Sequence, residues 1–327
     1  MSRSTTWRRL TALLALAAAV FCASLCIGSS DITPSQLLAA MLGTGTDEAV
    51  RSVLLQVRLP RLLAAFGVGG LLALAGVFLQ ALFRNPLADP YVLGVSGGAA
   101  VGALGAMLAG LAALAVQSAA VAGALASVAL VYLLARGGGT ARLLLTGVVV
   151  ASACGALVSV LLAVATTVQV RGMVFWLAGD LSWALSPTTS VAAAVLATVL
   201  GVLVARPLNV LAAGELRAQA VGLDLQTWRT FLFIACAVLT AIAVVSAGTV
   251  GFVGLITPHA VRLAFRTSDH RLVAPASALA GGTMLAAADL IARTIVSPRQ
   301  LPVGAIMALI GAPIFLALLR SKTRNTH

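Results

Sequence analysis

Apolar stretches long enough to cross a bilayer recur about ten times along this chain, each measured against the roughly 20 residues that a spanning helix needs. About six precede Ala205 and about four follow Arg229. In lipid every backbone polar group must be satisfied inside the protein, so a chain of such segments folds as helices. Charged residues make up 9% of the sequence and hydrophobic residues 61%, with a mean hydropathy of +1.07. A soluble globular domain carries about 25% charged residues, so that class is excluded. The 31 glycines suit a bundle whose helices approach closely. The expectation is an all-α polytopic membrane protein, one transmembrane domain over residues 1–327 with about ten helices.

The net charge of +12 does not imply nucleic acid, because the basic residues sit in short loops between apolar spans and form no single patch. Their distribution gives the topology. With a cytoplasmic N-terminus, Arg3, Arg8, Arg9, Arg84, Arg136, Arg142, Arg206, Arg217, Arg229, Arg262, Arg266, Arg271, Arg320, Lys322 and Arg324 all fall inside. Arg51, Arg58, Arg61, Arg171, Arg293 and Arg299 fall outside. By the positive-inside rule both termini are expected in the cytoplasm.

The longest polar interruption in the second half is ARPLNVLAAGELRAQAVGLDLQTWR, Ala205 to Arg229. Leu211, Ala212, Leu216, Ala220 and Leu223 recur at helical spacing, with Glu215, Arg217, Gln219 and Asp224 mostly between them. This reads as two short amphipathic helices outside the lipid, broken at Gly222. Placed on the cytoplasmic side, the segment is either a docking platform or a solvated connector.

Elsewhere the chain divides into spans and structured loops. Leu10 to Gly28 is longer than a signal-peptide core and is read as the first span. The external loop Ser29–Gln56 holds Asp31, Asp47 and Glu48, with a helix start at Thr33–Pro34. The second span opens at Val57–Arg61, and Pro86 and Pro90 then break the helix before the third. In the fifth span Ser152, Gly155 and Ser159, extended by Thr146 and Thr166, form a small, mildly polar face for packing or for lining a water-filled path. Trp176 and Trp183 are expected at an interfacial aromatic belt. Asp289 and Arg293 are spaced i,i+4 to pair, whereas Arg58 has no acidic neighbour in sequence. Cys22, Cys26, Cys154 and Cys236 all lie in apolar spans, so no disulfide is expected.

Several chemistries can be weighed directly. Lys322 is the only lysine, so no phosphate-cradling Gly-rich loop ending in Lys exists here. Nucleotide hydrolysis must come from a partner. Gly94-Val95-Ser96-Gly97-Gly98 matches a nucleophile elbow and His259 offers a base, which defines an intramembrane serine protease as an alternative. Against it, an elbow needs a preceding strand, and here a Pro-rich loop runs into a Gly/Ala-rich helix. No H-E-x-x-H or C-x-x-C motif supports metal catalysis. A proton-coupled transporter needs intramembrane carboxylates that the spans almost lack.

Taken together, VRLPRLLAAFGVGGLLALAG, LQALFRNPLADPYVLGVSGGAAVGA, LNVLAAGELRAQAVGLD, GTVGFVGLITPHAVRL, DHRLVAPASALAGG, ADLIAR and LPVGAIMALIGAPIFLALL resemble the FecCD-type permease subunits of bacterial ABC importers. Those systems carry ferric siderophores, haem or cobalamin. The resemblance implies the type II importer permease fold in the bacterial inner membrane. It further implies a homodimer with two ABC ATPase subunits below, which hold ATP and magnesium, and a periplasmic substrate-binding protein above. The permease itself would hold no cofactor and catalyse nothing. By the same resemblance Leu211, Gly214, Glu215, Ala218 and Gly222 would couple to the ATPase. Arg58 and Arg293 would meet acidic residues of the binding protein, and Thr146, Ser152 and Ser159 would line the translocation path. An iron chelate, siderophore or haem, is the expected cargo, with cobalamin as the alternative.

Overall fold

A computed structural model describes residues 3–28, 32–43, 48–183 and 186–323. Asp31 and Asp47 of the external loop, and Arg324 and His327 of the tail, lie outside the described residues. The described residues are mostly helical: α1 (Arg3–Cys26), α2 (Pro34–Leu42), α3 (Glu48–Ser52), α4 (Leu59–Phe83), α5 (Val95–Leu108), α6 (Ala113–Ala135), α7 (Thr140–Val164) and α8 (Thr167–Leu177). The second half adds α9 (Pro187–Leu203), α10 (Ala205–Ala212), α11 (Glu215–Ala220), α12 (Leu225–Ala247), α13 (Val253–Phe265), α14 (His270–Thr294) and α15 (Val303–Thr323).

Among the described residues six helices are long and apolar enough to cross a membrane, and α9 with α10 makes a seventh, bent by 63°. The shorter apolar helices α5, α13 and α15 bring the apolar segments to the ten expected from sequence. Breaks shorten α5 and α13. Asp89 caps a single 3-10 turn ahead of α5, accepting from the Tyr91 amide at 2.8 Å, and α13 starts from a left-handed Phe252.

The α4 helix is the axle of the bundle. Residues 48–83 form one continuous helical run, entered through a π-helical stretch at Val53–Arg58. The helix carrying Arg58 therefore begins well before the expected Val57. Most of α4 is buried, and α9, α12, α13 and α14 surround it. Small residues allow this: a Cβ added at Gly76 would collide with the Gly254 carbonyl on α13.

Local signals behave as the sequence implies. Thr33 caps α2 through a reciprocal capping box with Gln36, satisfying two of the donors that a helix start leaves bare. Thr166, expected to extend the stripe on the fifth span, instead lies beyond the end of α7 and caps α8 with Gln169. Gln169 also donates to the Met107 and Leu108 carbonyls at 3.3 and 3.1 Å, tying α8 to the end of α5. Trp176 is 1% exposed, so it fills the core and takes no place in an interfacial belt.

Candidate functional site

The bend after α9 carries α10 across the end of the bundle, where Ala205, Leu208 and Leu211 anchor it from beneath. Asn209 fixes its position. Its side-chain nitrogen donates to Asp269 at 2.8 Å, while its carbonyl oxygen accepts from the His270 amide at 2.9 Å and from His270 Nδ1 at 2.6 Å. With the Asn209 amide as donor, the Asp269 carboxyl is held below its ordinary value.

The second platform helix follows a sharp turn. Gly214 has φ +118° and caps α11, and Gly222 closes the far side with φ +76°; both values favour glycine. Glu215 sits between two cations, its Oε1 lying 2.7 Å from both Arg84 and Arg229. One carboxylate thus joins the end of α4, the start of α11 and the second turn of α12. Asp224 then caps α12 by accepting from the Gln226 and Thr227 amides, and the Thr227 hydroxyl lowers its carboxyl.

The expected coupling residues separate into two groups. Leu211 is 6% exposed and Ala218 fully buried, so within this chain these two face its own core. The outward surface belongs to Leu216, 84% exposed, and Val221, 68% exposed, flanked by Gly222 and the half-buried Gly214 and Glu215. Two short helices form as expected, but the break between them falls at Gly214, Gly222 instead parting α11 from α12, and their apolar positions are shared between core and surface.

Around α7 the bundle is thin. Within this chain only Gly147 and Val150 of that helix are buried. Ser152 and Ser159 are exposed and Thr146 is half-buried. The Ser152 and Ser159 hydroxyls donate to the Val148 and Gly155 carbonyls of their own helix, at 2.9 and 3.0 Å. On that small face these two serine donors are already satisfied.

At the opposite end of α4 lies an ionic cluster. Asp289, 2% exposed, accepts from Arg293 Nε at 3.0 Å, the i,i+4 pair expected from spacing. It also receives Arg61, with Nη2 at 2.9 Å. Arg61 reaches on to Ser182, Gln300 and, at 4.0 Å, Asp180. Arg58 does have local partners: its Nη1 donates to the Leu25 and Cys26 carbonyls at 2.6 and 2.9 Å, capping the end of α1. Arg58, Arg61 and Arg293 together line one cavity of about 80 Å³ with Gly28 and Gln300. Arg61, absent from the expected site, is the hub of this cluster. Its signal in sequence was its place three residues after Arg58 in VRLPR.

The protease reading has no structural support. Ser96 lies at the start of helix α5, after a left-handed Gly94 and with no strand before it. His259 is buried within α13, directly after Pro258.

Comparison with known proteins agrees with this architecture. The sequence model of the FecCD transport family matches residues 15–321. The cobalamin import system permease protein of Halobacterium salinarum is 44% identical over 87% of this chain and 78% of its own. The hemin transport system permease protein of Yersinia pestis is 39% identical over 90% of this chain and 91% of its own. The vitamin B12 import system permease protein of Klebsiella pneumoniae is 38% identical over 92% and 90%. Among solved structures, an inward-facing transporter assigned to the metal-chelate ABC type superposes with a TM-score of 0.84 at 31% identity, covering 95% of this chain and 98% of its own. Permeases of this family generally pair with ATPase and substrate-binding partners. The chain belongs to the FecCD transport family and is a multi-pass, non-catalytic membrane permease subunit of an ABC importer for metal chelates.

Proposed function

We propose that the cargo is cobalamin, which revises the expectation of an iron chelate. The observation that carries this is the 44% identity with the cobalamin permease of Halobacterium salinarum, beside the 39% identity with the hemin permease of Yersinia pestis. Two copies of the chain form the pathway in the bacterial inner membrane, with both termini in the cytoplasm. The exposed α7 face carrying Thr146, Ser152 and Ser159 lies toward the shared axis. The Ser152 and Ser159 hydroxyls are spent on their own backbone, so the face offers a bulky chelate a mild wall that does not trap it.

Two ATPase subunits, holding ATP and magnesium, dock beneath the platform. Leu216 and Val221 supply the apolar contact, while Gly214, Glu215 and Gly222 fix its shape from above Leu211 and Ala218. A periplasmic binding protein docks over the Arg58, Arg61 and Arg293 cluster. Three guanidinium groups gathered on one face of the chain favour an acidic partner. Closure of the ATPases would shift the platform, and the packed α4 axle would carry that shift to the gate.

The test is uptake by a cobalamin-requiring strain that lacks its own permease and carries this chain with its cognate ATPase and binding protein. Labelled cobalamin should enter, and neither haem nor ferric siderophore should compete. Haem uptake without cobalamin uptake would return the assignment to an iron chelate.

A further inference from the structure

Beside the platform, and separate from its exposed apolar surface, a cavity of about 620 Å³ opens between α10, the end of α4 and the turn joining α13 to α14. Its lining includes two arginines, Arg84 and Arg262, and one carboxylate, Asp269. The charges within it do not balance. Asp269 is occupied by the Asn209 side-chain amide and the Arg271 backbone amide, at 2.8 and 3.1 Å. Arg84 shares the single carboxylate of Glu215 with Arg229.

Arg262 has no carboxylate within ion-pair distance among the described residues. Its one side-chain hydrogen bond goes to the neutral carbonyl oxygen of Gln80. A guanidinium carries five N–H donors in a planar fork that matches a carboxylate, so most of this group's capacity is unspent. It is also partly withdrawn from water, which raises the value of an incoming negative charge. Exposed Arg206, Arg217, Arg266 and Arg271 lie on the neighbouring helices and turns, adding a positive field that draws acidic partners.

We propose that this cavity receives an acidic side chain of the ATPase subunit, which pairs with Arg262 and forms a second, electrostatic contact beside the apolar platform. The inference rests on the platform being the ATPase dock. Continuity favours a protein carboxylate over a free anion: the cavity wall at Ala212 and Ala213 runs directly into Gly214 and Glu215. A partner covering Leu216 and Val221 therefore lies across the cavity mouth. The two contacts divide the work, since apolar area gives affinity and a desolvated ion pair fixes orientation and register.

The test uses the homodimer in lipid nanodiscs with its cognate ATPase, and measures Kd at about 50 and about 500 mM salt, where screening differs strongly. Arg262→Gln should weaken binding about tenfold at low salt, the gap should narrow at high salt, and Arg262→Lys should recover part of it. Ser268→Glu, on the exposed rim, places a like charge at the mouth and should weaken binding in the same salt-dependent way. It tests the idea even if Arg262→Gln does not fold. If Leu216→Asp abolishes binding while Arg262→Gln and Ser268→Glu leave Kd and its salt dependence at wild-type values, this second contact alone is overturned. If Leu216→Asp binds normally, the platform reading itself fails. Binding of inorganic phosphate to the isolated permease, lost in Arg262→Gln and matched by no change in ATPase affinity, would make the cavity a small-anion site instead.

Discussion

Gly69 on α4 and Gly281 on α14 face each other so closely that a Cβ built on either would strike the other's carbonyl. The contact is reciprocal, so neither helix can yield without moving the other. This is how two membrane helices gain packing energy where no hydrophobic effect separates them from lipid. Gly69→Val should force the pair apart and cost about 1–3 kcal/mol, as overpacked cores do. Thermal unfolding of the detergent-solubilised protein measures it, and Gly105→Val, with nothing within 4 Å of its added Cβ, should leave the transition in place.

Asp289 is the anionic centre of the far-end cluster, with Arg61 and Arg293 both within 3.0 Å and its own side chain 3% exposed. Replacing it with Asn leaves Arg293 half-buried with no carboxylate within ion-pair distance among the described residues, and Arg61 with only Asp180 at 4.0 Å. Breaking a buried pair from one side costs about 3–5 kcal/mol, and solvent at the 11% exposed arginines moves the expectation to about 3 kcal/mol. Arg293→Gln should cost less, because Arg61 still neutralises Asp289. Equal transitions for both variants would show that the cluster does not brace the fold.

How much of this was legible in the sequence differs by element. Apolar length located the helices, and the Thr33 capping box and the Asp289–Arg293 spacing are local patterns that a linear reading catches. The partners of Arg58 and Arg61 were not legible. Arg58 bonds the carbonyls of a helix 32 and 33 residues earlier, and Arg61 reaches a carboxylate 228 residues later, pairings that only tertiary packing creates. In the platform, helical spacing located the two short helices, but Leu211 and Leu216 are both leucines on short helices. Which of them turns inward depends on the 63° bend after α9, and periodicity carries no record of that bend.

Glu215 is predicted to act as a clamp between Arg84 and Arg229. Glu215→Arg would set three cations together at the start of α11, so the platform should lift from α4 and α12. The permease fold should remain intact, because the buried foot at Leu208 and Leu211 does not depend on this charge. ATPase co-purification and substrate uptake should both fall at least tenfold, the loss expected when a few kcal/mol of interface free energy is removed. A Glu215→Arg, Arg84→Glu double variant should regain part of the ATPase binding if the clamp is electrostatic.

The Asn209–Asp269 contact predicts a pH dependence with a definite sign. Asp269 is depressed below its ordinary carboxylate value, chiefly by the Asn209 side chain. A depressed carboxylate contributes stability that is fully present above its unfolded pKa, roughly 3.9, and is lost as pH falls through its lower folded value. Asp269→Asn should therefore be less stable than wild type at neutral pH, and the gap should close below about pH 4. The group is mostly exposed, so the difference should be small. A gap that widens on acidification would reverse the assignment.

The last prediction separates a water-lined α7 from one facing lipid. Ser152 and Ser159 are exposed in the single chain, as are Leu196 on α9 and Leu309 on α15, at 71% and 72%. Exposure alone therefore cannot distinguish an axis-facing helix from a lipid-facing one. Chemistry can, because a thiol ionises and reacts with a charged maleimide only where water reaches it. The four native cysteines are free thiols, and of these Cys22 is exposed, so the test begins from a chain with all four replaced. A cysteine at Ser152 or Ser159 should then react with a membrane-impermeant maleimide when the reconstituted transporter is opened toward the side of addition. A cysteine at Leu196 should stay protected in the same vesicles. If the pathway runs along α7, labelling at Ser152 should also block uptake and should fall when ATP and vanadate hold the ATPases closed. Protection at Ser152 and Ser159 in every state would place that face against lipid or another helix, and the path would have to be sought along a different wall of the dimer.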